Sequence, residues 1–188
     1  MRKLLTLTCI ALLPTISGCA AVAIGGAAAT GIIMAEDRRT VGTITEDQGI
    51  ELKAASRIEE KVKAAHINVT SYNRVVLLTG EVATEAAKTD AERITRAVEN
   101  VGNVFNELKV GSNSSLQART NDSFITSKVK ARFVDANKFS AVHVKVVTED
   151  SVVYLLGMVK KQEATDATEV ARTTGGVSKV IRVFEYLD

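Results

Sequence analysis

The sequence has no tryptophan, one proline and two cysteines in 188 residues. Two cysteines, Cys9 and Cys19, make no CxxC pair and no disulfide framework. A single proline excludes a proline-rich spacer. Charge of one sign is also scarce. Lys+Arg 24 against Asp+Glu 22 leaves +2, without the basic surplus that a nucleic-acid partner needs. The signatures G-x-S-x-G, H-E-x-x-H, G-x-G-x-x-G and G-x-x-x-x-G-K-[ST] are missing. The two histidines, His66 and His143, fall at equivalent places of an internal repeat, which accounts for them better than a shared site. Carboxylates such as Glu81 and Glu85 have no second partner that the sequence can place. The expectation is no enzyme, no metal and no cofactor. Neither apolar run, 4–13 or 20–35, reaches the roughly 20 residues that cross a bilayer as a helix.

The N-terminus "MRKLLTLTCIALLPTISGC" carries Arg2 and Lys3, an apolar core from Leu4 to Leu13, small residues Ser17 and Gly18, and then Cys19. That is the layout of a secretory signal peptide. Its end, "ISGC", resembles the lipobox of bacterial lipoproteins, whose cysteine receives diacylglycerol before the leader is cut away. On that resemblance residues 1–18 leave with Cys9, and Cys19 becomes the lipid anchor. Loss of Arg2 and Lys3 leaves a neutral mature chain. Ala20, where Asp would retain an enterobacterial lipoprotein in the inner membrane, implies export to the outer membrane. Residues 19–44, Gly- and Ala-rich and then polar, read as the lipidated cysteine and a flexible tether.

The rest of the chain is a duplication. "VVLLTGEV" (75–82) and "VVYLLGMV" (152–159) carry the same strand-glycine-strand phrase. Adding 77 places His66 on His143, Leu78 on Leu155 and Gly80 on Gly157. Farther on, an offset of 76 places Val101 on Val177. Upstream, the shared "KVKA" sets an offset of 67, with Ile58 on Ile125 and Lys61 on Lys128. That register implies about ten extra residues before the first strand of the second copy, a difference of the 77 and 67 offsets.

Each copy reads helix, strand, strand, helix, strand. The first helices are expected at 49–65 and 123–136, with Asn121, Asp122 and Ser123 as N-cap candidates and Ile125, Val129 and Phe133 on one face. Asn73 and Asp150 mark hairpin turns. A helix joins the last two strands, so these can run parallel. The fold class is α+β: two tandem domains, each a three-stranded mixed sheet packed on two helices. They span 45–112 and 121–188, with a linker at 113–120. Gly80 and Gly157 late in a strand predict a bulge or the close approach of another backbone.

Gly80 and Gly157 after apolar strands, with "VENVGNV" and "TGGVSKV" before the last strand, resemble the BON domain. Two such domains behind a lipobox, with "DRRTVG" (37–42), "YNRVVLLTGEV" (72–82) and "NDSFITSKVKARF" (121–133), resemble the dual-BON outer-membrane lipoproteins of the DolP-like family. The resemblance implies a non-enzymatic protein, anchored by lipid to the outer membrane and facing the periplasm. Its second domain would bind anionic phospholipid through the first helix and support outer-membrane integrity, with links to the division site. The alternative is an adaptor for the barrel-assembly machinery or another envelope complex; nucleic acid is not a partner, and a monomer is expected.

The residues support the lipid reading in their own way. From 45 to 110 nine cations meet eleven acids, whereas from 119 to 188 eleven cations meet nine acids. Phe124, Lys128 and Arg132 are spaced four apart on one helix, an aromatic beside cations that suits a membrane interface. Phe124 stands where the family commonly has tryptophan. Phe139, in the presumed ten-residue extension, is a candidate second wedge. The phospholipid-binding set is therefore Phe124, Lys128, Arg132 and Phe139. The competing reading makes both phenylalanines core residues and Lys128 a solvated helix residue shared with Lys61.

Overall fold

The computed structural model describes residues 36–63 and 65–188. The first copy contains α1 (Val41–Lys61), β1 (His66–Tyr72), β2 (Val75–Val82), α2 (Glu85–Arg96), β3 (Asn103–Asn106) and β4 (Lys109–Val110). The second contains α3 (Leu116–Ala136), a 3₁₀ turn (Ala141–His143), β5 (Val144–Glu149), β6 (Val152–Val159), α4 (Lys161–Arg172) and β7 (Lys179–Tyr186).

Both copies follow the expected order. In each, an antiparallel hairpin leads through a helix to a strand parallel with the central one, giving β1-β2-β3 and β5-β6-β7. In the first copy the last strand is broken, and β4 continues the pairing along β2. The hairpins turn at Asn73-Arg74 and Asp150-Ser151, all four with positive φ. Adjacent left-handed residues are what a two-residue turn needs to match strand twist. Gly80 (φ 112) and Gly157 sit where a β-carbon would strike the carbonyl oxygens of His66 and His143. Close backbone approach is thus the reason for both glycines.

The first helices begin earlier than their apolar pattern suggests. Thr40 caps α1 by accepting from the Thr43 N–H, and Ser115 caps α3 by accepting from Ala118 N–H. The opening turns face solvent, apart from half-buried positions, so they carry little apolar periodicity. Segment 113–120, expected as a linker, therefore holds the N-cap and first turn of α3. Asp122, expected near the N-cap, lies inside α3 and is buried; it accepts the backbone N–H groups of Asp150 and Ser151 at 2.9 and 2.8 Å. Asp47 does the same for Asn73 and Arg74, at 2.8 Å each.

This pairing of aspartates overturns the register drawn from "KVKA". The buried positions of α1 are Asp47, Ile50, Ala54 and Ile58; those of α3 are Asp122, Ile125, Val129 and Phe133. Each lies 75 residues beyond its counterpart, and both helices run for 21 residues. The strands remain offset by 77, so the second copy has two extra residues here, not ten. Lys128 corresponds to Lys53, Arg132 to Arg57, and Phe124 to Gly49.

Each sheet buries one face under its own helices. Val76, Leu78 and Val82 join Ile50, Ala54, Ile58 and Ile94; Val153, Leu155 and Val159 join Ile125, Val129, Phe133 and Ala167. The opposite faces meet each other. Tyr72 and Leu77 form one cluster with Tyr154, Leu156 and Val183, flanked by Val75, Val147, Val152, Met158 and Ile181. Four layers result, with helices outside and two sheets inside. Both central strands are buried on both faces, which is why they read as nearly continuous apolar runs.

Polar ties reinforce this contact. Tyr72 Oη donates to His143 O (3.3 Å), Lys145 pairs with Glu51 (2.8 Å), and Asn73 donates to Glu185 (2.6 Å). The "DRR" triplet is part of it. Arg38 forms a two-pronged pair with Glu163, at 2.7 and 2.8 Å, and donates to Met158 O at 2.7 Å. Asp37 orients Arg39, which pairs with Asp47 at 3.0 Å and stacks its guanidinium 3.9 Å above the Tyr72 ring. Residues 36–40, expected as tether, are thus held on the folded body.

Two outcomes follow from this packing. Leu156→Ala empties part of the core shared by the sheets and should cost about 2–5 kcal/mol in urea unfolding. Far-UV circular dichroism and tyrosine fluorescence should then report one coincident transition; two separate transitions would show that the copies fold independently. The second outcome concerns acid. The hydrogen bond from Arg38 holds the Glu163 carboxyl below its ordinary value of 4.5. A depressed carboxylate stabilises the fold above its unfolded pKa and loses that contribution as pH falls through the folded one. Arg38→Ala should therefore lower stability at pH 7 by about 1–3 kcal/mol, with the gap to wild type closing below about pH 4. Urea midpoints measured from pH 3 to 7 check this, and a gap independent of pH would refute it.

Candidate functional site

The sequence-derived candidates lie on or just after α3. Phe124 is 61% exposed, and Leu116 and Val134 are also exposed on this helix. The buried row Ile125-Val129-Phe133 turns Phe124 away from the core. Lys128 Nζ stands 4.7 Å from the Phe124 ring centroid and donates to Gly175 O at 2.8 Å. The ammonium thus lies over the ring face while it meets a carbonyl just beyond α4.

Arg132 has a different task. Its guanidinium donates to Val170 O (3.1 Å), Thr174 Oγ1 (2.8 Å) and Thr173 Oγ1 (3.1 Å). These groups surround the C-terminal end of α4, where unsatisfied carbonyls favour a cation. The first copy repeats both devices: Arg57 donates to Ala97 O at 3.1 Å, and Lys53 pairs with Glu99 at 3.1 Å. Both cations have counterparts in the first copy, and Arg132 serves the scaffold, while the phenyl ring beside Lys128 is peculiar to the second copy.

Phe139 is not a wedge beside Phe124. It follows the C-terminus of α3, half-buried, and packs edge-on against Phe133 with ring centroids 5.0 Å apart. It fills the mouth of the second core. Cys19 lies outside the described residues. Among those residues no helix is long and apolar enough to cross a membrane.

Glu81, which the sequence left without a partner, has several. His66 Nδ1 lies 3.2 Å from its carboxylate, the Ser114 N–H donates to it at 3.0 Å, and Glu149 of the second copy is close by. The signal available in the sequence was negative: the counterpart of Glu81 is Met158, so repetition does not explain this carboxylate. His143 instead has Nε2 3.1 Å from Glu36 O, and Nδ1 3.9 Å from Glu163.

Comparison with known proteins agrees with this doubled architecture. Residues 46–112 and 121–188 each match the BON domain. The chain is 38% identical to the outer membrane lipoprotein DolP of Haemophilus influenzae, over 92% of this chain and 91% of that one. It is 34% identical to a 21 kDa hemolysin of Actinobacillus pleuropneumoniae, covering 80% and 79%. It is 32% identical to the osmotically-inducible protein Y of Escherichia coli, covering 74% and 72%. With two BON domains matched and near full-length similarity to DolP, the chain belongs to the dual-BON-domain, DolP-like lipoprotein family.

Proposed function

We propose that the protein is a non-enzymatic lipoprotein of the outer membrane, facing the periplasm, whose second BON domain binds anionic phospholipid and supports the integrity of that membrane. One observation carries this reading: α3 presents an exposed phenylalanine beside a lysine, at a position where the otherwise matching first copy has glycine. The lipobox at Cys19 and the name of the Haemophilus relative support the anchor and the compartment.

The energetics suit a tethered surface. Burying the Phe124 ring contributes about 1.5–3 kcal/mol when it leaves water fully. Lys128 adds about 1 kcal/mol at an anionic surface. Arg132 is committed to α4 and Phe139 to the core, so neither belongs to the phosphate-facing set. So small a surface binds weakly by itself. Beside an acyl anchor it operates at high effective lipid concentration, where weak contacts suffice to orient the body.

The test uses residues 36–188, free of the anchor, with vesicles containing anionic phospholipid. Phe124→Glu should weaken binding about 10–100-fold with unchanged circular dichroism, because the ring is not part of the core. Raised salt should weaken the wild type through screening. Equal binding by the folded variant would remove α3 from the interface. Binding to a protein of the envelope with no lipid affinity would favour an adaptor instead.

The anchor has a separate check. Cys19→Ala should abolish acyl labelling and release the protein from the membrane fraction. A wild type without acyl label, together with unchanged fractionation of the variant, would overturn the lipoprotein assignment.

A further inference from the structure

The boundary between the copies holds a second cluster of chemistry-bearing side chains, unrelated to α3. His66 opens β1 and pairs in register with Glu81 of β2. Glu149 closes β5 in the other copy. One ligand atom from each of the three lies within 4.8 Å of the others. Glu81 and Glu149 are buried, at 7% and 6% exposure. His66 and Glu149 border an open cleft of about 440 Å³, lined also by Asn68, Arg119, Asp122 and Thr126.

From these positions we infer that His66, Glu81 and Glu149 form a site for a divalent transition-metal ion of the zinc class, bridging the two BON domains. The donor set is one imidazole nitrogen and two carboxylates. Zinc takes such mixtures at three protein ligands and leaves a fourth position for water, which the cleft supplies. Calcium and magnesium prefer six or more oxygens, so one imidazole and two carboxylates select against them.

The surroundings fit the same occupant. Asn68 donates to Glu149 Oε2 at 2.9 Å, and the Ser114 N–H donates to Glu81 Oε2 at 3.0 Å. Such outer contacts orient carboxylate ligands toward a metal. Among the described residues neither glutamate pairs with a lysine or an arginine; the one basic partner is the His66 imidazole, 3.2 Å from Glu81. Arg119, which also lines the cleft, donates to Ser114 at 3.1 and 3.2 Å. Glu149 is buried in one copy and Glu81 in the other, so two carboxylates meet away from water at the boundary. A cation would relieve that cost. Bonds of about 2.0–2.2 Å place ligand atoms closer together than 4.8 Å, so the glutamate side chains close inward on binding.

The experiment takes the mature chain in detergent, stripped of metal; with Cys9 gone in the leader and Cys19 acylated, no thiol competes. Zinc chloride is titrated against a chromophoric chelator of micromolar affinity, and thermal unfolding is recorded with and without zinc. One zinc ion per chain should be withdrawn from the chelator. At a hundred-fold excess over Kd the midpoint should rise by about 5–10 °C, and millimolar magnesium should leave it unchanged. Glu149→Gln and His66→Gln should each weaken zinc binding at least about ten-fold; His143→Gln should not. If Glu149→Gln fails to fold, His66→Gln gives the same two readouts. No competition by the wild type, an equal response to magnesium, or wild-type zinc affinity in folded His66→Gln would each overturn the site.

Discussion

Leu77 and Tyr154 are equivalent residues of the two copies, and each is almost wholly buried against the face of the other sheet. Everything else in the molecule depends on that contact. A three-stranded sheet with helices on one side leaves its other side in water. Here the exposed side of each sheet is apolar, so a lone copy would present Tyr72, Leu77 and Val75, or Tyr154, Leu156 and Val152, to solvent. Burying them at roughly 25 cal/mol per Å² of apolar surface gives two small domains the stability of one larger body. Two copies are needed because each is the other's missing layer.

The match is not symmetric, and the asymmetry marks off what the fold requires twice. Asp47 and Asp122 hold the two hairpin turns, and Arg57 and Arg132 serve the C-terminal ends of the second helices. These are duplicated because the fold requires them twice. Phe124 against Gly49, and Glu81 against Met158, are differences at equivalent places that the fold does not require. The first puts an apolar ring in solvent; the second puts a carboxylate at a domain boundary.

Much of the fold was legible in the sequence because its signals are local. Paired turn residues, apolar strands and a helical crossover between parallel strands each have a short-range cause. The register of the first helices was misread because four identical residues, Lys61-Val62-Lys63-Ala64 and Lys128-Val129-Lys130-Ala131, outweighed the spacing of the buried positions. In the first copy Val62 is the C-cap residue, while Val129 lies mid-helix, so the shared letters occupy different structures. The helix starts were missed because a capping hydroxyl, rather than apolar periodicity, sets them. The shared core between sheets was invisible because a strand buried twice and a strand buried once inside an apolar run look alike. The four-residue spacing of Phe124 and Lys128 does bring them together on the surface of α3. Arg132 has the same spacing but bonds to the end of α4, and Phe139, beyond the helix, packs on Phe133; only tertiary contacts reveal either.

Arg38 gives the molecule a mechanical property. A pull transmitted along the backbone into Glu36 meets the guanidinium–carboxylate pair with Glu163 and the bond to Met158 O before it reaches α1. These bonds join the beginning of the first domain's chain to the second domain, so the load is shared across the seam between the sheets. Tension entering at Glu36 therefore loads both domains at once instead of peeling the first helix away.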